Sequence, residues 1–367
     1  MLINASNLKT GGGLQVASSI ISQLRNYEEF SFIVVISKEL TDWANLSENR
    51  NFPGVRFIRY SVPLRFNVIT GKDKFLDEVV RKECVQSVIS IFGPTYWKPE
   101  VYHIAGFAKP HYVYPEFIPN KLYTQFELLT LMLKKCVHLN DISRNTSAVF
   151  TETSDVTNRL RLILPSKIVT TISNTYHQIF QDPRSWDKKV AEQIGEYKTI
   201  FMVGSPYPHK NFQIIPKVIE VLRTRYPSLN YKFVLTINKK ELKVSDPVVY
   251  ENILFLGRVK MEELPPIYDK VNLVLHPSLL ECFSATYVEA MFMGVPLIAS
   301  DRPFARVVCQ NAAYYCDPFN PSDIADKIHL LLEDEDAGTK LINEGYQQIK
   351  QHNDAEKRLE KILELIP

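Results

Sequence analysis

Three side chains in this sequence could act together on one ligand: Lys210, Glu281 and Glu289. Glu281 and Glu289 lie eight residues apart in His276 to Pro296, a run reading His-Pro-Ser-Leu-Leu-Glu-Cys-Phe-Ser-Ala-Thr-Tyr-Val-Glu-Ala-Met-Phe-Met-Gly-Val-Pro. A carboxylate on a loop or an early helical turn can accept hydrogen bonds from the hydroxyls of a polar ligand. Lys210 closes Gly204-Ser205-Pro206-Tyr207-Pro208-His209-Lys210, followed by Asn211. A lysine between a glycine turn and a helix start suits an anion, above all one whose charge grows during a reaction.

Short apolar strands must position these groups. Val271 to Leu275 and Val295 to Ala299 are branched, apolar runs of the kind that a parallel sheet buries on both faces. Between them the spacing predicts a helix over Ser284 to Met293, stopped by Gly294. Glu281 then falls just past the carboxyl end of a strand, where open α/β sheets bind ligands, and Glu289 falls inside the helix. Thr199 to Val203 reads as the strand that carries Lys210, with a helix expected from Phe212 onward.

The Glu281-to-Glu289 spacing, with Pro277-Ser278 before it and Ala290 and Gly294-Val295-Pro296 after it, resembles the signature of retaining glycosyltransferases of family 4. Gly204, Lys210 and Asn211 fit the same family. The resemblance implies an α/β chain of GT-B type, with two Rossmann-like doubly wound parallel-sheet domains facing a central cleft. It implies a nucleotide-diphosphate sugar as donor, with no cofactor and no metal. Lys210 and Glu281 would be catalytic. Glu289 would bind the ribose, and Ser205, His209, Asn211, Phe283, Ser284, Ala285 and Thr286 would line the donor site. Two positions depart from the pattern. Cys282 stands where glycine is usual, and Ser205 stands where arginine is usual. The latter leaves His209 as the candidate second cation. Arg258, after the strand near residue 255, is the candidate contact for the base.

The first half repeats the alternation. Leu2 to Ala5, Phe32 to Ile36 and Val88 to Phe92 read as strands. Thr10-Gly11-Gly12-Gly13 then opens a helix, and the resemblance gives Gly12 and Gly13 a place against donor diphosphate or acceptor. Family members often carry a histidine at the end of the strand that here reads Val101-Tyr102-His103-Ile104-Ala105-Gly106. His103 is therefore the third candidate catalytic residue, with Ala105-Gly106 in the better-matching slot. Lys109 and His111 follow as loop candidates. Tyr123 to Cys136 is helical, apolar around much of its circumference and close to Lys134-Lys135. That composition suits either a core helix or one that meets a membrane.

The domain reading is 1–175 for the acceptor-binding half, 176–197 for the connection, 198–345 for the nucleotide-sugar half and 346–367 for a terminal helix crossing back. Asp334-Glu335-Asp336 is formally an Asp-x-Asp metal motif but reads as a charge run ending a surface helix. The 367 residues suit two domains, and a net charge of +2 gives no reason to expect nucleic acid. Five unpatterned cysteines and no apolar run of membrane-spanning length fit a cytoplasmic protein, peripheral at the inner membrane face at most. The expected partners are a nucleotide sugar and a glycan or lipid-linked acceptor, in assembly of a surface polysaccharide. Two other readings stay open: a sugar-nucleotide epimerase of the same fold, and a non-catalytic sugar-nucleotide-binding subunit.

Overall fold

The computed structural model describes residues 1–9, 11–43, 52–61, 68, 70–118, 123–244, 246–352 and 354–367. Thr10, quoted above, lies outside the described residues. The chain folds as two units. One comprises Met1–Pro115, Asn120–His177 and Asn353–Pro367, the other Glu116–Pro119 and Gln178–His352.

The first unit is built on β1 (Leu2–Ala5), β2 (Phe32–Ile36), β3 (Val55–Arg59), β4 (Ser87–Ser90), β5 (Tyr102–Phe107), β6 (Ala148–Thr151) and β7 (Ile168–Thr171). They form one parallel sheet in the order β3-β2-β1-β4-β5-β6-β7. β1 and β2 are buried at every residue, as an apolar strand between helical layers must be. Helix Gly12–Gln23 covers one face, and the terminal helix Ala355–Leu363 packs beside it through Leu359 and Ile362. The fully buried Arg358 fastens that helix by donating to Asn174 Oδ1 and facing Glu152 at 3.6 Å.

The second unit holds β8 (Lys198–Met202), β9 (Tyr231–Leu235), β10 (Ile253–Phe255), β11 (Leu273–His276), β12 (Leu297–Ser300) and β13 (Tyr314–Cys316). All pairs are parallel, in the order β10-β9-β8-β11-β12-β13. The irregular residues from Gln178 onward pack into this unit. Asp187 N–H donates to Glu262 O at 2.9 Å, and Phe180 meets Tyr268 edge to face. Helix Ala285–Met293 ends where Gly294 takes φ 66°, the left-handed stop that glycine adopts without strain. Asp334 is the N-cap of helix Glu335–Ile349 and accepts from Ala337 N–H at 2.9 Å.

Candidate functional site

β8 and β11 are neighbours in the sheet, yet far apart in sequence. The strand order reverses there, so the loops leaving their carboxyl ends open side by side, which is where ligands of such sheets bind. The loop after β8 carries Lys210 and the loop after β11 carries Glu281. Lys210 Nζ donates to Glu281 Oε1 at 2.5 Å. Glu281 also accepts from Ser278 Oγ at 2.8 Å and lies 3.4 Å from His276 Nε2.

Backbone staples fix this meeting. His209 O accepts from Leu279 N–H at 2.7 Å, and it lies 3.0 Å from Ser278 Oγ as the alternative to Glu281 for that hydroxyl's one hydrogen. Gly204 has φ 147°, and a Cβ placed there would rest 3.8 Å from Lys210 Cδ, so the lysine stem crosses the bare face of the glycine. Asn211 takes φ 61°, and its side-chain amide donates to Pro277 O at 3.2 Å and Pro318 O at 2.7 Å. The helix start expected at Phe212 is therefore replaced by 3-10 turns over Pro208–Lys210 and Phe212–Ile214, and the α-helix runs Ile215–Arg225. Asn211 itself ties loops together.

Electrostatics favour a charged pair. Burial alone would push the Glu281 carboxyl up, but the Lys210 charge, helped by the hydrogen bond to His276, outweighs it and holds the group well below the usual carboxylate range. Burial pushes His209 and His276 down, so both are neutral at pH 7. That shift disfavours the charged form His209 would need as a second cation. Its ring stacks on Tyr207, with centroids 5.6 Å apart and planes 8° from parallel.

Glu289 sits in helix Ala285–Met293, 2% exposed, and accepts from Tyr268 OH at 2.8 Å. Ser284, Thr286 and Phe283 are buried beside it in sequence, and no side chain caps the helix start at Ser284 and Ala285. Ser205 and Arg258 are exposed.

Sequence reasoning passed over three residues. His276 and Ser278 stand immediately before Glu281, and that adjacency was the available signal. The third is Arg302, past the end of β12. Ser300 Oγ donates to Ser278 O at 2.6 Å, which joins the β12 edge to the Glu281 loop. Arg302 then lays its guanidinium 5.0 Å from the Phe117 ring and 5.8 Å from Phe319. Its Nη1 donates to Asp301 O, and its buried Nε–H has no hydrogen-bond partner among the described residues.

In the first unit, Gly12 and Gly13 begin the helix after β1 as expected, but the glycine-only conformation belongs to Gly11, at φ 69°. His103 does not reach a site. It is 1% exposed, and its Nδ1–H donates to Asn145 O at 2.6 Å. That donor fixes the tautomer, so Nε2 is left to accept from Ser90 Oγ at 2.8 Å. Burial lowers its pKa to about 4. Both ring nitrogens are occupied in the core, and His103 is a structural residue.

The sign of that shift gives a prediction. Below pH 6.5 an unfolded chain protonates this histidine while the folded chain refuses the proton. Stability should fall as pH drops from about 6.5 to about 4, by on the order of 3 kcal/mol from this group. Urea unfolding across that range should show the loss, and His103→Gln should flatten it. An equally steep loss in the variant would remove His103 as the cause.

Residues 184–348 match the family described as "Glycosyl transferases group 1". That match covers most of the second unit. Over 145 residues the chain is 26% identical to an uncharacterized glycosyltransferase of Haemophilus influenzae, which spans 37% of this chain and 40% of that protein. The chain covers less than half the length of the curated relatives it matches. WaaG, a glycosyltransferase involved in lipopolysaccharide biosynthesis, superposes with TM-score 0.73 at 12% identity, over 100% of this chain and 99% of that one. Anabaena Alr3699/HepE in complex with UDP and glucose superposes with TM-score 0.68 at 15% identity, over 99% and 98%. With its two parallel-sheet units, the chain has the GT-B fold. The matched residues include Lys210, Glu281 and Glu289. Among the described residues no helix is long and apolar enough to cross a membrane.

Proposed function

We propose that this chain is a retaining glycosyltransferase of family 4 that moves a sugar from a nucleotide-diphosphate donor to a glycan or lipid-linked acceptor in surface-polysaccharide assembly. The observation that carries the reading is the buried Lys210–Glu281 pair at the strand-order reversal of the second unit. Breaking the bond between the sugar carbon and the diphosphate oxygen leaves charge on the phosphate. The Lys210 ammonium sits at a strand end with the uncapped start of helix Ala285–Met293 in the same domain, and each such donor contributes on the order of 10² to 10³ in rate. Glu281, held charged by Lys210 and aimed by Ser278 and His276, orients the lysine and accepts from the donor sugar. Glu289, fixed by Tyr268, accepts from the ribose hydroxyls. Arg302 supplies the positive charge that Ser205 cannot, its guanidinium placed near the Phe117 and Phe319 rings. No metal enters this reading.

The test is a thermal-shift screen of the whole chain against UDP, GDP, ADP and CMP, followed by turnover of the matching donor sugar. A ligand that binds the folded state raises the melting temperature, by about 2.7 kcal/mol of stabilisation at a hundredfold excess over its Kd. One base should stand out, and Arg302→Ala should shrink the shift for the nucleoside diphosphate while leaving that for the nucleoside unchanged. No shift with any nucleotide would overturn the donor assignment. Conversion of the donor to another nucleotide sugar with no acceptor present would make the protein an epimerase. Binding without turnover on any acceptor would make it a binding subunit.

A further inference from the structure

The helix Gln125–Asn145 in the first unit is built inside out. Only Asp141 and Ile142 are buried along its 21 residues. Phe126 is 78% exposed, Met132 65%, Leu133 62%, Leu129 55% and Val137 42%, and Cys136 is exposed among them. At 3.6 residues per turn these six side chains fall within one arc about 140° wide. Between Phe126 and Val137 that arc contains no charged residue. A contiguous exposed apolar face of this kind marks an interaction surface.

The charges around it say what covers it. On the helical projection Lys134 lies about 60° beyond one edge of the arc and Lys135 about 60° beyond the other. Arg144 is exposed further along, and Lys109 lies close enough to act, with Lys134, on His138. The exposed carboxylate of the helix, Glu127, is engaged in the capping box with Thr124 at the first turn. An apolar stripe with a lysine on each flank is the pattern of a helix lying in a lipid interface. The rings and aliphatic chains sink below the headgroups while the lysine stems reach up to the phosphates. A second copy of the chain is disfavoured by the same charges. Lys134 and Lys135 sit at the middle of the helix, so two-fold pairing of this face would bring the lysines of one copy toward those of the other.

We propose that Phe126, Leu129, Met132, Leu133, Cys136 and Val137 form a docking face for an anionic bilayer surface, with Lys134 and Lys135 contacting its headgroups. This rests on the reading of the acceptor as lipid-linked and extends it, since a lipid-carried acceptor must be met at the bilayer.

The experiment is co-sedimentation of the full chain with phosphatidylcholine vesicles, with and without phosphatidylglycerol. Binding should require phosphatidylglycerol and weaken as salt is raised. Phe126→Ser with Leu133→Ser should abolish it. Lys134→Ser with Lys135→Ser should weaken it roughly tenfold to thirtyfold, at about fivefold for each cation near the surface. Phe126, Leu133 and Lys134 are exposed and Lys135 is half-buried, so the melting temperature should change little and its shift with nucleotide should not change. In a Cys84→Ser background, an environment-sensitive fluorophore on Cys136 should shift to the blue when vesicles are added. No binding to either vesicle overturns the proposal, as does binding that survives the serine substitutions. A concentration-dependent dimer that those substitutions dissolve assigns the face to a second copy and overturns it too. The donor reading is judged separately. A nucleotide shift without vesicle binding sinks only the docking face, and vesicle binding without a nucleotide shift sinks only the donor site.

Discussion

Lys210→Ala should lower kcat by roughly 10² to 10³, with a smaller change in donor KM. The ammonium is needed most when the sugar carbon parts from the diphosphate and charge accumulates there, so its loss falls on the transition state. The same substitution should change stability in a way that identifies the pair. Glu281 is 7% exposed and takes its shortest hydrogen bond from Lys210. Removing one member of a buried ion pair leaves the other unneutralised, at about 3 to 5 kcal/mol. In the natural chain the Glu281 carboxyl is held below its unfolded value. Its contribution is complete above about pH 4.5 and is lost as pH falls toward the lowered folded value. Without Lys210, burial dominates and the carboxyl should move above its unfolded value. The variant should then regain relative stability as pH is lowered, the reverse of its parent. Adding Glu281→Gln to Lys210→Ala removes the stranded charge and should recover most of the lost stability while leaving kcat low. Urea titrations of the three proteins at pH 7.5 and pH 5, with turnover at pH 7.5, separate the two effects. Parallel pH profiles for the parent and Lys210→Ala would show that the ammonium does not hold Glu281, and near-normal turnover would remove Lys210 from the chemistry.

The part of this site that the sequence displays is the part that depends on local pattern. Thr199 to Val203 and Val271 to Leu275 are apolar runs that could be little but buried strands, and they become β8 and β11 within a residue or two. The loops after them hold the charged residues in plain order. That the two loops touch depends on β8 lying beside β11, a sheet order that no local pattern states. His103 shows the other limit. A histidine's role is set by what meets its two ring nitrogens, and here those partners, Ser90 and Asn145, come from distant segments. The same applies to His209, whose charge is decided by burial. Edge strands were hard to see for another reason. β3 reads Val-Arg-Phe-Ile-Arg and is half-exposed, and β13 is three residues long. The start of helix Ile215–Arg225 did have a signal in Pro216, a residue suited to the first helical turn and unsuited to its interior. Helix Gln125–Asn145 runs nine residues past Cys136 because its outer face has no need to alternate with the core.

Gly106→Ala should be among the most damaging single-methyl changes in the first unit. A Cβ at position 106 would lie 2.1 Å from Ile91 O and 2.9 Å from two ring atoms of Phe150. The ring can turn away, but the carbonyl cannot. Ile91 N–H donates to Asn4 O, and Gly93 N–H donates to Gly106 O at 2.8 Å, so the segment after β4 is tied on both sides. Relief requires β5 to move against its neighbours, which puts the cost at about 3 kcal/mol or more and the fall in melting temperature near 10 °C. Phe150→Leu added to Gly106→Ala should therefore restore little, since it clears the ring and leaves the carbonyl in place. A melting temperature within two or three degrees of the parent would show that the strand yields and that the close approach is not a constraint. The consequence reaches the site. The enzymes that the sequence resembles often carry a histidine at this strand end, and His103 is locked in the core three residues before Gly106. Gly106 cannot take a histidine, because any side chain there meets Ile91 O before it can point anywhere. Sugar transfer by this chain would proceed without a histidine at the carboxyl end of β5, and Gly106→His should lose the fold rather than gain activity.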